Sequence, residues 1–326
     1  MKLCEGVYIS LLCVACLIKT IDVNAETVGE AFQQELSETM PETAPGTLPG
    51  TLPQTLPQTL FDEVSRAQKV YQAPSREIMF QAERLFSRLL SGPLTPTLKA
   101  SAEKLGFTVV EANKAFPYIA LYTAENRRLG WGAYFIRERT DSSILLQVPH
   151  QFYDRHTAKF ALAHLRNSNL KALNLNLVPR YYKNSADKRY NADLAHRKDN
   201  LFLSFARAFS SHYVAGYVLQ LHGFSKDKRK TLAGKSADII LSNGTSWITH
   251  PINKLQPCFS QLASWHVKRY PLDVGELGAT RNETGKTLRQ LSHLNFIHIE
   301  LSAVVRKQLL NSPSLQNKFW LCTKNL

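Results

Sequence analysis

The chain has 326 residues, 44% hydrophobic and 10% aromatic, which is enough for a sizeable core and excludes wholesale disorder. Its net charge is +14, unevenly spread: residues 26–63 hold seven acids and no Lys or Arg, residues 1–25 are neutral, and residues 64–326 therefore carry +21. A basic body favours anionic partners, without choosing among nucleic acid, cell-wall polymer and acidic peptide.

In chain order, residues 1–25 read as an export signal. Lys2 precedes an apolar run from Val7 to Ile18, and Val23-Asn24-Ala25 offers small residues for cleavage. The run is shorter than the roughly 20 residues a spanning helix needs, which favours a cleaved signal over an uncleaved anchor. Lipoprotein processing at Cys16 ranks lower, because Cys13 stands where such sites usually carry Leu. Residues 26–60 read as an acidic, Pro- and Thr-rich disordered linker. Thr47-Leu48-Pro49, Thr51-Leu52-Pro53 and Thr55-Leu56-Pro57 place proline at every fourth position, which forbids helix and favours extended chain.

From Phe61 the pattern turns helical, with Val64, Ala67, Val70, Ile78, Ala82, Leu85 and Leu89 near three-to-four spacing, and a helical extension is expected over 61–100. Over 101–326, apolar runs alternate with helical stretches. Strands are predicted at Phe107–Val110, Tyr118–Tyr122, Gly132–Phe135, Ser143–Val148, Val214–Leu221, Asp238–Leu241 and Asn295–Leu301. Helices are predicted at Thr157–Arg166, Leu201–Ser211, Cys258–His266 and Lys286–Leu291. This alternation predicts a single α/β domain with a central mixed, mostly parallel sheet flanked by helices. No segment after the signal is apolar enough to cross a membrane. Cys258 and Cys322 are the two cysteines beyond the signal, and in an oxidising compartment they either pair or stay as two buried thiols.

Ligands in such sheets sit at the carboxyl ends of strands, and three strand ends carry unusual residues. Leu145–Val148 stops at Pro149 and presents His150 and Asp154. Val218–Leu221 ends in His222-Gly223. Phe296-Ile297-His298-Ile299-Glu300-Leu301 sets an acid inside an apolar run. Two histidines and a carboxylate satisfy a catalytic zinc, and a further carboxylate can take the proton of an attacking water. His156 and His164 compete less well, because both fall near or within the helix that follows. Arg281-Asn282 opens a polar loop able to bind a carboxylate, or simply caps a helix. Lys226–Lys230 reads as a solvated loop that could also steer an anionic substrate.

The order His150-x-x-x-Asp154, Asp193-Leu194-Ala195-His196-Arg197, strand-His222-Gly223 and Ile299-Glu300-Leu301 resembles the zinc carboxypeptidase-like superfamily. Its nearest-looking branches are the N-formylglutamate amidohydrolases and the poly-γ-glutamate hydrolases. The resemblance spans about residues 140–310 and implies a carboxypeptidase/phosphorylase-hydrolase-like fold and one Zn2+. It implies His150, Asp154 and His222 as metal ligands, Glu300 as general base and Arg197 as the grip on a substrate carboxylate or developing oxyanion. Two departures stand out. Asp154 replaces the commoner Glu, and His196 stands where the superfamily has Asn, leaving open whether His196 binds substrate or is a fourth metal-directed group. The implied activity is that of an exported, periplasmic or secreted amidohydrolase or metallopeptidase acting on an anionic peptide or cell-wall substrate. The rival is a non-catalytic basic envelope-binding protein tethered by its N-terminal tail. Nucleic acid is not expected as a partner, since no recognition motif is present.

Overall fold

Strands form where apolar and β-branched residues run together. In chain order they are β1 (Thr108–Val110), β2 (Tyr118–Tyr122), β3 (Ala133–Arg137), β4 (Ile144–Val148), β5 (Ala172–Leu175), β6 (Tyr181–Lys183), β7 (Arg189–Asn191), β8 (Tyr217–Phe224), β9 (Ile239–Ser242), β10 (Val267–Arg269) and β11 (Phe296–Ser302). The computed structural model describes residues 57–127, 129–167, 170–183, 189–324 and 326. The expected export signal, and the expected linker up to residue 56, lie outside the described residues. Nine strands make one mixed sheet in the order β1-β2-β3-β5-β4-β8-β11-β9-β10, while β6 and β7 form a separate hairpin.

The central strands β5, β4, β8 and β11 run parallel. Antiparallel pairings flank them, joining β1 to β2, β2 to β3, β3 to β5 and β9 to β11, and β10 lies parallel to β9. The parallel share is thus smaller than the sequence suggests and concentrated where the strand ends matter.

Ten helices flank the sheet among the described residues: α1 (Gln58–Ser65), α2 (Arg76–Ser91), α3 (Pro96–Lys104), α4 (Thr157–Asn167), α5 (Leu201–His212), α6 (Leu232–Ser236), α7 (His250–Ala263), α8 (Glu283–Gln290), α9 (Ala303–Asn311) and α10 (Pro313–Lys324). Pro74 separates the first two, and Ser75 starts the second by accepting a hydrogen bond from the Ile78 amide at 3.2 Å. No helix among the described residues is long and apolar enough to cross a membrane.

Alternation along each strand sorts side chains between two faces. On one face, Leu146, Val148, Leu173, Leu219, Leu221, Ile297 and Ile299 pack with Leu162 of α4, Phe259 of α7, Leu309 of α9 and Phe319 of α10. On the other, Leu145, Ala172, Val218 and Phe296 pack with Phe86 of α2 and Phe205 of α5. One step further along that second face the chemistry changes. Asn174, Gln147, Gln220, His298 and Ser242 lie side by side in register across five strands, all buried. A polar row in a sheet interior is costly unless its members bond one another. Gln220 Nε2 donates to Gln147 Oε1 at 3.0 Å, and Ser242 Oγ donates to the Gly278 carbonyl at 2.5 Å.

The helices over 58–104 join this core directly. Leu60 and Val64 pack into the first face, and Leu85, Phe86 and Leu89 into the second. Helix α7 begins at His250, two turns before the predicted Cys258, because Pro257 within it breaks the sequence signal without ending the helix. Strands β5 and β10 carry no strong sequence signal. Asn174 interrupts one, and the other is only three residues long.

Cys258 of α7 and Cys322 of α10 form a disulfide across a sequence separation of 64 residues. Closing a loop of that length stabilises by up to about 4 kcal/mol in the chain-entropy description. Cys258→Ala/Cys322→Ala should therefore lower the urea midpoint by an amount equivalent to about 2–4 kcal/mol; an unchanged midpoint would show that the bond contributes nothing to stability.

Candidate metal centre

Strand β4 ends at Val148, and the chain turns sharply through Pro149. The Asp154 amide donates to the His150 carbonyl at 2.8 Å, as in one turn of helix, so residues four apart face the same side. This brings His150 Nδ1 to 3.6 Å from Asp154 Oδ2. Strand β8 delivers His222 from the neighbouring strand, with Nδ1 3.5 Å from the same oxygen. The donor atoms of His150, Asp154 and His222 all lie within 4.8 Å of one another, and all three residues are buried.

Each imidazole is fixed by a partner on its far side. His150 Nε2 lies 2.7 Å from Asp193 Oδ1, and His222 Nε2 lies 2.8 Å from Gln220 Oε1. Carboxylate and amide oxygens only accept here, so both rings carry their proton on Nε2 and turn the Nδ1 lone pair inward. Asp193 is anchored in turn by Arg180 at 2.6 Å and by His196 Nδ1 at 3.0 Å. Asn282 caps α8 through its Oδ1 and donates from Nδ2 to Gln220 Oε1 at 2.5 Å. Gln220, from the polar row of the sheet, thus orients one of the two imidazoles, and Asp193 orients the other.

The electrostatics follow from this arrangement. Burial alone would raise the Asp154 carboxyl, but the adjacent His150 and His222 imidazoles outweigh it and hold the group well below the usual carboxylate range. Burial likewise opposes protonation of His150, yet Asp154 and Asp193 together push its pKa up. Burial dominates at His222 and draws it down to about 4. Glu300, opposite His222 in register, sits on the same face, and its Oε1 lies 3.7 Å from His298 Nε2. Burial, and then the charge of Asp154, push the Glu300 carboxyl up to about 8. Its Oε2, like Asp154 Oδ2, is buried with no hydrogen-bond partner among the described residues.

The orphaned Asp154 oxygen and the two inward lone pairs are the donor set of a divalent cation, so His150, Asp154 and His222 fit a zinc ion. His222, His298 and Glu300 form a second cluster of suitable spacing. It shares His222, whose single inward lone pair serves one ion at a time. The site therefore has room for one metal.

The remaining sequence-predicted residues fall at different distances from this centre. His196 adjoins it through Asp193. Arg197 donates to Asp199 and lies 5.5 Å over the Tyr71 ring. Arg281 is exposed just before α8, whereas Asn282 is buried and occupied as described. The sequence reading gave no role to Arg180, Gln220 or His298, and quoted Asp193 only as part of a motif. Alternation could have flagged Gln220 and His298, which stand two residues from His222 and Glu300 on their own strands. Nothing in the local sequence ties Arg180 to Asp193.

No protein-family model and no curated protein matches the chain. Solved structures similar to it include N-formylglutamate amidohydrolase from Ralstonia eutropha JMP134, 12% identical over 60% of this chain and 97% of that one, with a TM-score of 0.38. Another is a metallo-carboxypeptidase from Burkholderia cenocepacia, 10% identical over 72% of this chain and 71% of that one, with a TM-score of 0.33.

If Asp193 fixes the His150 ring, Asp193→Asn should weaken zinc binding by about 10–100-fold while the fold persists. Competition against a chromophoric chelator measures this. Parental affinity in the folded variant would remove Asp193 from the role.

Proposed function

We propose that the chain is an exported zinc hydrolase that cleaves an amide or peptide bond beside a carboxylate. Peptidoglycan-type peptides, γ-glutamyl amides and N-acyl amino acids are the substrate classes this covers. The observation that carries the reading is Glu300, a buried carboxyl with an unpaired oxygen on the face that holds His150, Asp154 and His222. An envelope-binding protein has no use for such a group, because an unpaired buried carboxyl only costs stability.

A zinc ion at this site supplies Lewis-acid polarisation of the scissile carbonyl and makes a water molecule more acidic. The chain's own residues do the rest. Glu300 takes the proton from the attacking water as the new C–O bond forms, then returns it to the leaving nitrogen as the C–N bond breaks. His298 lies beside Glu300 and, buried and neutral, adds no competing charge. Asp193 and Gln220 keep both histidines in the inward tautomer. Arg197, held by Asp199 against Tyr71, presents a fixed guanidinium from the turn that also carries Asp193, and is the anchor we assign to the substrate carboxylate. The +21 body draws anionic substrates toward it.

Export is supported by the signal-like residues 1–25 and by the Cys258–Cys322 disulfide, a bond that persists in oxidising compartments.

Glu300→Gln keeps the shape and removes the base. On a panel of γ-glutamyl and N-acyl amino acid amides assayed by amine release, it should cut kcat about 10²–10⁴-fold with zinc still bound. Turnover per folded molecule equal to the parent's, with lowered stability, would reject Glu300 as base.

A further inference from the structure

Arg306 is the fourth residue of α9, the helix that follows the strand of Glu300, and so is the nearby cation that could simply pair with that carboxyl. The structure spends that guanidinium elsewhere. Arg306 is buried, and Nε donates to the Arg155 carbonyl at 2.8 Å. Nη1 donates to the Leu301 carbonyl and reaches the Phe224 carbonyl at 3.5 Å. These three acceptors lie on three separate segments. Arg155 directly follows Asp154, Phe224 stands two residues after His222, and Leu301 directly follows Glu300.

We propose that Arg306 is the positioning residue of the metal centre: one planar guanidinium ties together the backbones that present Asp154, His222 and Glu300. The proposal rests on the metal reading above. Its geometry explains why Arg is needed. The fork offers N–H groups at fixed angles to carbonyls that converge from three directions, whereas a Lys ammonium is a single point donor on a flexible stem. It also explains Gly223, which pairs with Leu301 in register directly beneath the guanidinium. A Cβ at 223 would lie 2.6 Å from Arg306 Cζ and 3.1 Å from Nε, with Nη1 closer still. The glycine after His222 is thus a space requirement of the arginine 83 positions later, and the two residues form one device. Because the donors named here all go to carbonyl oxygens, the clamp leaves Glu300 Oε2 unpaired.

The experiment uses the full chain with Co2+ as probe, reading affinity by chelator competition and ligand geometry by the visible absorption band. Arg306→Met removes the fork, Arg306→Lys keeps only the charge, and Gly223→Ala leaves Arg306 in the sequence but displaces it. All three should weaken Co2+ binding, Arg306→Met and Gly223→Ala by about 10–100-fold, with a shifted band. Cys258→Ala/Cys322→Ala, which unties α7 from α10 and touches none of the proposed ligands, should keep the parental affinity and band, so loss of stability alone does not produce the effect. Gly223→Ala decides if Arg306→Met does not fold. Parental Co2+ affinity and spectrum in folded Gly223→Ala would overturn the proposal. A parent chain that binds no Co2+ would instead overturn the metal reading.

Discussion

A carboxylate buried at the end of a parallel sheet has to be met by positive charge or by hydrogen-bond donors. Asp154 is that carboxylate, and a divalent cation held with two imidazole lone pairs is the partner we propose for it. Two imidazoles approach the same oxygen at 3.6 and 3.5 Å, and each is braced from behind by an acceptor on another element. The bracing sets a buried polar row, joined at Gln220 and Gln147, into a sheet interior that would otherwise be apolar. The price of that row is a core held by specific pairs rather than by interchangeable hydrocarbon.

The sheet topology makes this affordable in space. Strands β4, β8 and β11 are adjacent and parallel, so their carboxyl ends open on one edge, and Glu300 stands opposite His222 without any long loop to place it. The apolar opposite face, packed by α4, α7, α9 and α10, keeps the strands rigid. Helix α9 starts one residue after β11 and returns Arg306 beneath the strand ends. The same short connection that ends the last strand therefore also locks the site.

The parts that the sequence makes legible are those whose signal is local. The apolar runs of β4, β8 and β11 end in residues that interrupt them, and His150-x-x-x-Asp154 carries its own geometry, because a single turn sets both on one side. The helix start near Pro257 and the strand through Asn174 are not legible locally, since propensity there yields to tertiary packing. The pairings of the bracing residues carry no local signal for a different reason. Arg180 and Asp193, or Gln220 and Asn282, meet only after folding, across 13 and 62 positions, and nothing near either partner announces the other. Gly223 shows the same limit from the other side: its reason lies in Arg306.

The most direct test of the central claim is the anomalous diffraction signal at the zinc edge from crystals of the zinc-loaded protein. The account predicts one strong peak within about 2.0–2.2 Å of His150 Nδ1, His222 Nδ1 and an Asp154 carboxylate oxygen. A peak bound through Nε2 of either histidine, a peak elsewhere in the molecule, or no peak at all would contradict it.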